Sequence, residues 1–150
     1  MQTDNQTNIV KASDNHRPLV IALLQAEKLP VENLPTSLDN FFVARHNNKV
    51  VGAIGLELYG DYALLRSMVV STAYRNNNIA SRLVEQVEAY GRSLGITSIY
   101  LLTETAPGYF EKKGYQKINR DEVPAAVQLS SEFGHVCPVS AIVMKKNVNP

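Results

Sequence analysis

The sequence predicts an α/β chain of the α+β kind, with about seven strands, mostly antiparallel, and helices set between them. Two observations carry this. Phe41 to Arg45, Val50 to Tyr59 and Ala63 to Val70 are apolar runs separated only by the turn signals Asn47-Asn48 and Gly60-Asp61, and turns that short join antiparallel neighbours. The stretch from about Asn78 to Leu94 then places Ile79, Leu83, Val87 and Tyr90 on one helical face and stops at Gly95, just before the apolar run Ile96 to Leu102. A helix therefore separates a fourth strand from a fifth.

The other elements fall into place in chain order. Ile9-Val10-Lys11 reads as a short first strand, and Ser13 or Asp14 can cap a helix that carries Leu19, Val20, Leu23 and Leu24 at helical spacing and ends before Pro30. Residues 30–40 read as a loop with a short helical turn at Glu32 to Leu34. After the fifth strand, Ala106 to Lys113 predicts a short helix stopped by Gly114, and Tyr115 to Ile118 a sixth strand. Val123 to Phe133 predicts a polar-faced helix, and Val139 to Lys145 the last strand.

Composition narrows the function. Residues 1–150 are most simply one domain, long enough to bury a single core. A net charge of +1 with scattered lysines and arginines argues against nucleic acid, which needs a clustered basic face. Leu19 to Leu24 falls far short of the roughly 20 residues of a membrane span, and residues 1–8 lack the regions of a signal peptide. The single cysteine, Cys137, excludes a disulfide framework and suits a reducing compartment, so a cytoplasmic chain with no membrane partner is expected. Cys137 and His135 form neither a metal site nor a triad, so no metal is expected, and the cysteine reads as a small apolar residue at the start of the last strand.

Residues 66–83 carry the most chemistry. An apolar strand runs into a polar loop that opens an amphipathic helix. From Arg75 through Asn76, Asn77, Asn78, Ile79 and Ala80 to Ser81 every residue has a backbone N–H, and the first turn of a helix leaves such groups without intrahelical partners. The helix dipole, Arg75 and Arg82 add positive charge. This is the layout of a phosphate cradle; an ordinary strand-loop-helix connection is the alternative. The segment resembles the acyl-CoA signature of the GNAT acetyltransferase superfamily, Gln/Arg-x-x-Gly-x-Gly/Ala, with Arg75 and Ala80 matching and Ile79 in a variable slot. Asn78 stands where the first glycine is usual. Asparagine is the residue after glycine that best tolerates a left-handed backbone, so the cradle can form with reshaped cofactor contacts.

The resemblance covers nearly the whole chain. It implies the GNAT fold, a mixed, mostly antiparallel central sheet flanked by helices whose fourth and fifth strands splay apart at their C-terminal ends. It also implies acetyl-CoA as co-substrate, with pantetheine in that gap against Met68, Val69 and Val70. A second family pattern, Asn-x-x-Ala-x-x-x-Tyr-x-Lys-x-Gly-Phe/Tyr, is matched after the fifth strand by Ala106, Lys112, Gly114 and Tyr115. Two slots differ. Thr103 replaces the asparagine that bonds pantetheine, and Phe110 replaces the tyrosine that protonates the leaving thiolate, a proton phenylalanine cannot supply. Tyr109 is adjacent but rotated by about 100° on a helix.

Acyl transfer to an amine needs a proton acceptor and an oxyanion donor. Glu57 on the third strand and Glu104 at the end of the fifth are the candidate bases, Glu104 being better placed by the motif; each is otherwise a solvated carboxylate. A backbone N–H within Met68 to Val70 is the candidate oxyanion donor. Arg66, in an otherwise apolar strand, must face solvent, a partner or a site. Its planar fork suits a carboxylate, phosphonate or arsonate-like group, so Arg66 with Ser67 assisting is the candidate anchor for an anionic acceptor.

Several stretches, among them Val51 to Glu57, Leu64 to Ser67, Tyr100 to Ala106, Asp121 to Ala126 and Cys137 to Ala141, are similar to the arsenic-resistance N-acetyltransferase subgroup. Those proteins are relatives of the amino-acid acetyltransferases typified by N-acetylglutamate synthase. The likeness implies a small-molecule amine acceptor, the α-amine of an amino acid or an amino-acid-like toxin. A CoA-binding sensor with little turnover and a protein or peptide acetyltransferase are the other readings. A last strand exposed at a sheet edge would allow a homodimer.

Overall fold

A computed structural model describes residues 7–29, 31, 34–75, 78–104, 106–130, 133 and 141–148. The chain divides into two compact units, Met1–Leu56 with Ser67–Ala89, and Glu57–Arg66 with Tyr90–Pro150. Its strands form one sheet in the order β1-β2-β3-β4-β5-β7-β6, where β1 is Thr7–Lys11, β2 Phe41–His46, β3 Lys49–Tyr59, β4 Tyr62–Val70, β5 Ser98–Thr103, β6 Gln116–Ile118 and β7 Ile142–Asn147. The helices are α1 (Arg17–Ala26), α2 (Ile79–Ser93), α3 (Pro107–Lys112) and α4 (Ala125–Gln128). Among the described residues no helix is long and apolar enough to cross a membrane.

In the first unit β1 pairs antiparallel with β2, and β2 with β3. Asn47 and Asn48 take φ values of 53° and 67°, as a two-residue primed turn requires. Ser13 donates its N–H to His16 Nδ1 at 3.0 Å ahead of α1, and Val20 and Leu24 of that helix pack with Val43, Ala53 and Val69. Gly55 is fixed by contact: a Cβ there would lie 2.5 Å from the ring of the buried Phe41. Gly55→Ala is therefore expected to destabilise the protein by about 1–3 kcal/mol through overpacking. Chemical denaturation checks this, and Phe41→Leu in the same background should restore part of the loss.

In the second unit β4 and β5 run parallel and pair as Tyr62↔Ser98, Ala63↔Ile99 and Leu64↔Tyr100. The registered pairing ends there, while β4 runs on to Val70 and β5 to Thr103. Antiparallel to β5, β7 pairs from Ser98↔Asn147 to Thr103↔Ile142, and β6 covers its other side. A cluster of Leu64, Tyr100, Val123, Val127 and Val143 forms the core here. Glycine ends two helices at positive φ, Gly95 (84°) after α2 and Gly114 (96°) after α3. After α3, Tyr115 N–H bonds Phe110 O and Gly114 N–H bonds Glu111 O, the paired closure of a Schellman motif.

Two sequence expectations are corrected. The helix predicted from Val123 opens only at Ala125, because Pro124 occupies the cap position at ψ 144°, and this α-helical run, α4, is capped at Leu129. The last strand begins later than predicted, at Ile142. The turn read at Glu32 to Leu34 and the region around Cys137 and His135 lie largely outside the described residues.

Candidate active site

Within the first unit, β4 bends before it ends. Ser67 holds φ 57° inside the strand, the left-handed conformation of a bulge residue, which costs a non-glycine residue roughly 1–3 kcal/mol. The in-out alternation lapses there, with Ser67 and Met68 both half-buried and Val69 and Val70 buried. The side chains of Val69 and Val70 are therefore committed to packing, and what this stretch offers a ligand is backbone. Nothing in the sequence flagged the bend at Ser67.

Farther along, Asn78 holds φ 61°, the left-handed geometry that asparagine tolerates, and its carbonyl accepts the N–H of Arg82 at 3.0 Å. The helix α2 opens at Ile79, whose side chain is buried, so Ile79 and Ala80 present amides at the positive end of a 15-residue helix. These features fit a phosphate group. Asn76 and Asn77 lie outside the described residues.

The two arginines expected beside the cradle have other partners. Arg75 Nη2 lies 2.6 Å from Glu27 Oε1 and its Nε donates to Val70 O at 3.3 Å, while Thr72 Oγ1 donates to the other Glu27 oxygen at 2.8 Å. The bond from the Thr72 hydroxyl, then its amide and the charge of Arg75, hold Glu27 below the usual carboxylate range against the opposing effect of burial. Arg75 thus ties the end of β4 to the end of α1. Arg82 Nη2 donates to Thr7 O at 2.7 Å and serves β1.

The second unit collects Glu57, Arg66 and a residue the sequence reading passed over, Tyr59. Glu57 and Tyr59 leave the same face of β3, two residues apart. Tyr59 donates to Glu57 Oε1, and Arg66 Nη1 donates to Glu57 Oε2. The side chain of Arg66 is 0% exposed and that of Glu57 15%. A solvent-facing arginine is ruled out, and the Arg66 fork faces the Glu57 carboxylate. Burial, the hydrogen bond to Glu57 and that carboxylate's charge push the Tyr59 hydroxyl far above the usual phenol range, with Ser130 and Arg66 opposing. Tyr59 therefore remains a donor at neutral pH.

At the end of β5, Thr103 Oγ1 accepts the N–H of Ala106 at 3.1 Å and so shapes the entry to α3. Glu104 is exposed. Phe110 is buried, its ring 5.6 Å from that of Tyr115 and 5.3 Å from that of Tyr109. The Phe110–Tyr115 contact is the apolar staple that accompanies a Schellman closure. Tyr109 packs edge-on to Phe110 with Lys113 Nζ 5.8 Å from its ring, which is the packing role.

A model described as the acetyltransferase (GNAT) domain matches residues 37–117, more than half of the chain. The chain belongs to the GNAT acetyltransferase family. An uncharacterized N-acetyltransferase of Chlorobaculum tepidum is 32% identical over 101 residues, 67% of this GNAT chain and 64% of that protein. An amino-acid acetyltransferase of Aeromonas salmonicida is 23% identical over 99 residues, 65% of this chain and 22% of that one. The GNAT chain thus matches less than two thirds of the length of either relative. N-acetylglutamate synthase from Neisseria gonorrhoeae, solved with coenzyme A and N-acetyl-glutamate, shares the fold with a TM-score of 0.83 at 16% identity, over 97% of this chain and 36% of that one.

Against the GNAT pattern, two participants had contrasting signals. Tyr59 was detectable, since it sits two residues from Glu57 on one strand. Glu27 was not, because nothing in the sequence links it to Arg75, 48 residues away.

Proposed function

We propose that residues 1–150 act as a single domain that transfers acetyl from acetyl-CoA directly to the amine of a small amino-acid-like acceptor, with Glu57 as the proton acceptor. The observation that carries this reading is the carboxylate of Glu57, mostly buried yet 15% exposed and held by one donor on each oxygen. The CoA complex of the Neisseria relative and the amino-acid acetyltransferase name of the Aeromonas relative support the donor and the acceptor class. The amine nitrogen forms the amide bond as the thioester C–S bond breaks, and Glu57 takes the amine proton. Phe110 supplies no proton. The thiolate leaves as the anion of a group with a thiol pKa near ~8.5 on the cysteine scale, and takes its proton from water.

With Arg66 facing Glu57, an anionic group on the acceptor, an arsenical analogue included, is an option that the panel below tests. The assay is thiol release from acetyl-CoA with amino acids, glutamate analogues, phosphinothricin-like toxins and short peptides. Release that depends on a small amine is expected. Release with peptides alone would replace the acceptor class, and CoA binding with no release from any acceptor would favour a sensor.

A further inference from the structure

We propose that Tyr59 is a positioning residue for this transfer, its hydroxyl fixing the plane of the Glu57 carboxylate. The inference rests on Glu57 as the proton acceptor. The terminal torsion of a glutamate is broad, so a carboxylate held on one oxygen can still turn away from its target. Glu57 is held on both, by Tyr59 from its own strand and by Arg66 from β4. Each oxygen keeps a lone pair for an incoming proton.

The one hydroxyl hydrogen of Tyr59 is committed to Glu57. Burial and the neighbouring carboxylate keep the phenol protonated, so it stays a donor throughout the neutral range. The ring packs against the apolar cluster of Leu64, Tyr100 and Val143, where phenylalanine would fill the same space. Only the hydroxyl distinguishes the two side chains, so its role can be read without dismantling the core.

The test measures kcat and KM on the full chain with acetyl-CoA and whichever panel amine gives the most thiol release. Tyr59→Phe is expected to lower kcat about tenfold, as for loss of a hydrogen bond to a charged group, with both KM values within about twofold. Tyr59→Phe should add nothing in the Glu57→Gln background, since a residue acting only through Glu57 has no target once it is gone. A Tyr59→Phe kcat within about twofold of the parent, or an equal loss with and without Glu57, would overturn the proposal. Thermal melting accompanies each variant. If Tyr59→Phe melts early, kcat is read well below that melting temperature, where an unchanged value overturns the proposal. Absence of release from the unmodified protein defeats acetyl transfer itself, and is told apart because it precedes any substitution.

Discussion

Replacing Glu57 by glutamine is expected to lower kcat by on the order of 100-fold, the lower end of what general base catalysis contributes, and to destabilise the protein by about 3–5 kcal/mol. The second effect comes from Arg66. Its side chain is completely covered and Nη1 donates to Glu57. Glutamine keeps the shape and an acceptor but removes the charge that faces the buried guanidinium. The two effects separate in Glu57→Gln/Arg66→Met. Replacing both charges with groups of similar volume is near neutral for stability, so the double variant should regain most of its resistance to urea while staying inactive. Glu104→Gln, at an exposed position, should keep kcat within about twofold. Full activity in Glu57→Gln would move the proton acceptor elsewhere, and loss in Glu104→Gln would name it.

The sheet was legible because its signals are local. Asn47-Asn48 and Gly60-Asp61 set two hairpins, and Gly95 and Gly114 end two helices at the positive φ that glycine supplies. The start of α4 was read too early, at Val123, where the backbone is still extended and Pro124 holds ψ 144°. The site was half legible. Residue types identified Glu57, Arg66 and Asn78, but not their partners, since pairing depends on register and reach. Arg66 looked like a hand for a ligand because its strand is apolar, and the same burial is why it needs Glu57. Phe110 looked like a missing acid, and in the structure its carbonyl and ring close α3 onto Tyr115.

Asn78→Val is expected to weaken CoA binding by roughly ten- to a hundredfold, whereas Asn78→Gly should bind at least as well as the parent. The difference is conformational. Asn78 sits at φ 61°, and a β-branched residue forced there costs roughly 1–3 kcal/mol, which equals that range of affinity at 1.4 kcal/mol per tenfold. The strain would be relieved by turning the residue out of the left-handed region, and this would displace the carbonyl that accepts Arg82 N–H and re-aim the Ile79 and Ala80 amides. Glycine keeps the conformation and removes the side chain, so the pair separates backbone geometry from side-chain contact. Calorimetry with CoA reads both. Equal affinity in Asn78→Val and the parent would show that the opening of α2 is not where the phosphates bind, and Arg75, already engaged by Glu27 at 2.6 Å, would not rescue that reading.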